Sequence, residues 1–87
     1  MKTYTIRYSY IGGHDERRYT RETTDTLPNL IRYFSYTLEC GKAYEREYGN
    51  KRINTAPKTA RSLVTNLNNA ESNRARNGCA STSYELV

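Results

Sequence analysis

Residues 2–10, KTYTIRYSY, alternate between large rings or aliphatics and small or charged side chains. Tyr4, Ile6, Tyr8 and Tyr10 fall on one side, and Thr3, Thr5, Arg7 and Ser9 on the other, as the two-residue period of a β-strand sorts them. Such a strand needs neighbours along its edges and a cover over its apolar side, so the rest of the chain has to supply both. Because Tyr4, Tyr8 and Tyr10 share their side with Ile6, those rings are expected to lie under the cover, which leaves the Arg7 side open.

The first neighbour follows at once. IGGHDE contains Gly12 and Gly13, which tolerate positive φ, and RRYTRETT after it is rich in Thr and Tyr. The two runs read as a β-hairpin ending near Thr24, with a loop of about four to six residues. The cover comes next. TDTLPN is a helix start, with Asp25 or Thr26 as cap and Pro28 tolerated in the first turn, where its missing N–H has no partner to lose. Leu27, Leu30, Ile31, Phe34 and Leu38 then recur at spacings of three and four, while Tyr33, Cys40 and Tyr44 line a second stripe about a third of the circumference away. Gly41 interrupts both stripes, and the expected helix bends there and continues to Gly49 and Asn50.

GNKRINTAPK is a connector, with Thr55 expected to cap a second helix and Pro57 to sit in its first turn. Ala60, Leu63, Val64, Leu67 and Ala70 form the buried stripe of that helix, with Asn, Ser, Thr and Arg read as its solvated surface. Asn77 or Gly78 supplies the stop, and Ala80, Thr82, Tyr84 and Leu86 alternate as a last strand. Residues 1–87 are thus expected to form one α+β domain: a small, mostly antiparallel three-stranded sheet with two helices on one face, in the order β-β-α-α-β.

The apolar set is thin for that fold, and nine tyrosines with no tryptophan must carry part of the packing. At this length burial barely offsets conformational entropy, so self-association, including a homodimer, or a partner is expected. Cys40 and Cys79 are read as structural thiols. No apolar run reaches the ~18 residues of a membrane span, and none has the pattern of a secretory leader, which points to a cytoplasmic protein with no membrane partner.

Chemistry is poorly provided for. His14 is the only histidine, and its neighbours Asp15 and Glu16 cannot converge with it on one tetrahedral ion, so neither a metal nor another cofactor is expected. No nucleophile with its base, no separated carboxylate pair and no phosphate-binding glycine loop stands out, so the chain is expected not to be an enzyme.

Binding is better provided for. Lys and Arg number 14 against 9 Asp and Glu, a net charge of +5, and ten of the 14 are arginine, the cation best shaped for phosphate and for stacking on rings. On the hairpin, Arg7, Arg17, Arg18 and Arg21 with Tyr19 are expected to form one cationic patch able to hold phosphates and stack bases. Lys51, Arg52, Lys58 and Arg61 form a second cluster, its two later members beside the free N–H groups that open the second helix. The expected function is a non-enzymatic basic module that contacts nucleic acid. The alternative is an inhibitor, of the phage or mobile-element type, that binds an acidic surface on a host nucleic-acid-processing or defence complex.

Overall fold

The structure, a computed structural model, describes residues 1–11, 17–48, 51–75 and 82–87, and the backbone alone for 46–48. Strands β1 (Tyr4–Ile11), β2 (Arg18–Asp25) and β3 (Thr82–Leu86) make an antiparallel sheet of order β2-β1-β3, so the strand whose pattern is clearest is also the central one. Helices α1 (Leu27–Tyr33), α2 (Ser35–Tyr48) and α3 (Ala60–Ala75) cover one face. This is the α+β order expected, with the first helix divided in two. The hairpin loop with His14, the stop at Asn77 or Gly78, Cys79 and the expected strand position of Ala80 lie outside the described residues.

The β1 alternation decides what is buried. Ile6 is fully covered, Tyr84 nearly so, and Tyr4 and Tyr8 pack against the same core, while Arg7 and its row face out. From the helices come Leu30, Phe34 and Leu38, then Leu63, Leu67 and Ala70, the residues that the three-and-four spacing singled out. Each large aliphatic buried this way contributes about 1.5–3 kcal/mol.

Two helix boundaries differ from expectation. The first helix breaks at Phe34, with φ −98° and ψ 12°, and not at Gly41. Phe34 N–H still donates to Leu30 and Phe34 C=O still accepts from Leu38, so the break re-aims the helix while its ring enters the core. α2 runs straight through Gly41, where a Cβ would overlap Ala70 of α3. Glycine is there to let two helix backbones approach closely. At the other boundary, Thr59 and not Thr55 caps α3, since its hydroxyl accepts from Ser62 N–H at 3.0 Å and its carbonyl from Leu63 N–H at 3.0 Å. Pro57 is buried in the connector ahead of the helix.

The connector, residues 51–59, is held by polar side chains read from sequence as solvated. Asn73, 1% exposed, accepts from Lys51 N–H at 3.0 Å and donates to Lys51 C=O at 2.9 Å and to Gly41 C=O at 3.1 Å. Asn66 accepts from Asn54 N–H at 2.7 Å, and Glu45 of α2 accepts from Ile53 N–H at 3.1 Å. That contact, aided by Lys42, draws the Glu45 carboxyl below its ordinary pKa. Buried main-chain groups need partners, and a segment without regular structure has to find them in side chains. Ile53 completes the docking with its side chain in the core.

Candidate functional site

Register on the hairpin settles where its arginines go. Arg7 pairs with Glu22, Tyr8 with Arg21, Tyr10 with Tyr19 and Ile11 with Arg18. Side chains of directly paired residues share a face, so Arg7 and Arg18 lie on the open face, while Tyr19 and Arg21 lie on the face that carries the helices. The single patch expected from the sequence is divided between two sides of the sheet. Arg17, exposed, precedes β2.

At the centre of the open face the charge is neutralised internally. Arg7 lies between Glu22 on β2, at 2.8 Å, and Glu85 on β3, at 3.0 Å. Around it, Thr5 bonds Thr24 at 2.7 Å and Ser9 bonds Thr20 at 3.1 Å. One cation between two carboxylates, in a row of paired hydroxyls, leaves little attraction for a phosphate.

The helix-side face is built differently where the hairpin extends past the helices. Tyr19 and Tyr10 stack at 5.7 Å between centroids, Tyr10 and Tyr8 at 6.5 Å, and Tyr8 and Tyr84 at 5.9 Å, giving a row of four rings across three strands. Phe34 meets Tyr8 and Tyr84 edge-on at the buried end. At the open end Tyr19 is 40% exposed and Arg21 donates to the Tyr10 hydroxyl at 3.0 Å, which fixes the guanidinium beside the rings. Tyr33, 61% exposed, bonds the Tyr8 hydroxyl at 3.3 Å. That bond holds the Tyr8 phenol above its ordinary pKa and, with Thr23 and the charge of Arg21, draws Tyr33 below it. Tyr84, desolvated in the core, is pushed up to about 12. Past Tyr33 a groove of about 270 Å³ runs between β2 and α1, with Arg32 and Asp25 among its walls.

The second cluster is also drawn out. Lys51 lies beside Asn73, and Lys58 and Arg61 lie at the start of α3, which at 1.5 Å per residue puts Lys51 about 18 Å from Arg61 along the helix. Lys51, Arg52, Lys58 and Arg61 are all exposed, a stripe along the connector more than a cluster at a helix end. α3 runs antiparallel to β3, since Asn68 meets Tyr84 and Glu71 meets Thr82. Lys58 and Arg61 therefore sit at the end of the sheet away from Arg18 and Tyr19, and these two cations do not join those of the hairpin in one surface.

Tyr33 and Arg32 were not among the residues the sequence singled out for binding. The one signal was the off-core stripe of Tyr33, Cys40 and Tyr44, which marks a ring that the core does not use. Among the described residues no group of His, Cys, Asp and Glu is arranged to hold a metal ion, and no helix is long and apolar enough to cross a membrane. No protein-family model matches the chain, and no curated protein or solved structure shows significant similarity to it.

Proposed function

We propose that this chain is a non-enzymatic binding module that takes single-stranded nucleic acid on the helix-side face of its hairpin. The observation that carries this reading is the row of tyrosine rings that emerges from the core at Tyr10 and Tyr19 with Arg21 fixed beside it. A base stacked on such a ring contributes about 1–3 kcal/mol whatever its identity, and a neighbouring guanidinium adds contact with phosphate or with the ring face. Tyr33 extends the surface, and Arg32 adds a cation that forms no ion pair among the described residues. The exposed stripe of Lys51, Arg52, Lys58 and Arg61 offers separate phosphate contacts on the helical side.

Fluorescence titration with single- and double-stranded DNA and RNA oligonucleotides, at low and physiological salt, tests the reading. Tyr19→Ala with Arg21→Ala is expected to weaken single-strand binding at least tenfold, a loss of about 1.4 kcal/mol or more. Arg7→Ala should leave binding unchanged, because its charge is already offset by Glu22 and Glu85. Affinity should fall linearly with salt on logarithmic axes. Absence of binding at low salt overturns the proposal and transfers the same Tyr and Arg surface to the competing reading, a protein that inhibits a host nucleic-acid-processing complex.

A further inference from the structure

The two edges of the sheet are finished differently. On β3, Tyr84 N–H donates to Asn68 Oδ1 at 2.9 Å, Tyr84 C=O accepts from Asn68 Nδ2 at 2.9 Å, and Thr82 N–H donates to Glu71 Oε2 at 3.1 Å. The Asn68 amide stands in for a neighbouring strand, and that edge is closed. Because Tyr84 turns its main-chain groups outward, Tyr8 opposite it forms a pair without ladder bonds to β3, and the Tyr8 N–H and C=O serve Arg21 on β2 instead. Alternation then points the N–H and C=O of Arg18, Thr20, Glu22 and Thr24 away from the sheet. Among the described residues no strand lies beside them and no side chain takes them.

We propose that β2 pairs antiparallel with β2 of a second copy of this chain, about a two-fold axis at Thr20, joining two sheets into one of six strands. Outward-facing residues must meet outward-facing residues, so a symmetric pairing that engages at least three of these four residues has its axis at Thr20, Arg21 or Glu22. An axis at Arg21 sets two arginines directly opposite each other, and one at Glu22 sets two glutamates so; like charges in that position are destabilising. The axis at Thr20 sets Thr20 opposite Thr20, Arg18 opposite Glu22 of the second copy on the open face, and Tyr19 opposite Arg21 of the second copy on the other. Arg18 forms no ion pair among the described residues, and Glu22 gives Oε2 to Arg7, leaving Oε1 for an incoming guanidinium. The charges on this edge, which elsewhere keep edge strands apart, complement one another about that axis.

The pairing is tested without nucleic acid, so its outcome is separate from that of the binding reading. In the proposed register the Thr20 Cα atoms of the two copies stand about 5.5 Å apart, within disulfide range, and the Glu22 Cα atoms about 14 Å apart, outside it. Under mild oxidation Thr20→Cys is expected to form a covalent dimer at least tenfold faster than Glu22→Cys or the parent, which carries Cys40 and Cys79. In sedimentation equilibrium the parent is expected to dimerise, and Arg18→Glu, on an exposed position, should raise the dissociation constant at least tenfold while leaving the circular dichroism unchanged. A parent monomeric up to about 1 mM, a Glu22→Cys protein that cross-links as fast as Thr20→Cys, or a dimer indifferent to Arg18→Glu each overturns the pairing; the first would leave the edge to a strand from another protein.

Discussion

On one flank of β1, strand β3 is pinned from outside by α3, and α3 is locked to α2 and to the connector by Asn66, Asn73 and Gly41. On the other flank, β2 is exposed along most of its eight residues and is held by its ladder to β1, by hydroxyl pairs and by one arginine between two carboxylates. The contrast is one of replaceability. Buried groups on the β3 flank have specific partners that water cannot substitute, whereas water can take over nearly every side-chain contact on the β2 flank. Stability is thereby concentrated in one flank, and the flank freed from that duty carries the rings and cations of the proposed binding face.

Three substitutions would break or sharpen that contrast. Gly41→Val should have the largest effect, because its side chain overlaps Ala70 where two helix backbones meet. We expect a loss of at least about 3 kcal/mol in urea unfolding, or no cooperative transition at all. If it melts with the parent, the α2–α3 seam is slack and the division between flanks fails. Asn73→Ala comes next, since it strands the carbonyl of Gly41 in the interior and takes the partner from the half-buried main-chain groups of Lys51, at a cost of about 3 kcal/mol. Hydrogen exchange should then show residues 51–54 losing protection while β1 and β2 keep theirs. The smallest change is expected on the β2 flank: Arg7→Met removes both ion pairs but keeps the stem, and pairs this exposed contribute little to stability. A loss matching that of Asn73→Ala would show that the open face carries stability after all.

Much of the fold was legible where a period was long and clean. The β1 alternation predicted both the strand and the face that would be covered, and the spacing of Leu30, Phe34 and Leu38, with that of Leu63, Leu67 and Ala70, predicted the helical core. The misreadings share a cause. Thr55 and Thr59 both precede a plausible first turn, and only the docking of Ile53 and Pro57 decides between them. Gly41 looks like a breaker in isolation, yet the proximity of Ala70 makes it a packing residue. Asn66, Asn68 and Asn73 read as surface because asparagine usually is; their crowding within one helix, where its intrinsic propensity is poor, was the hint that tertiary contacts hold them. The arginine patch failed for a simpler reason. Arg18 and Arg21 differ in parity and cannot share a face of a regular strand, and which of them joins Arg7 depends on a register set through the loop after Ile11.

The position of β1 has a consequence for the order of events in biosynthesis. Its β3 partner lies more than seventy residues along the chain, with Ile6 opposite Leu86 and Thr5 accepting from Val87 N–H at 3.0 Å. Until synthesis has passed Leu86, β1 can have at most one of its two neighbours, so its tyrosine-lined centre keeps an unguarded side and the asparagine that will seal β3 has nothing to seal. Completion of the sheet therefore waits for translation of residues 82–86, the slow, long-range closure that sets the pace for folds of high contact order and during which a nascent chain most needs protection from its neighbours.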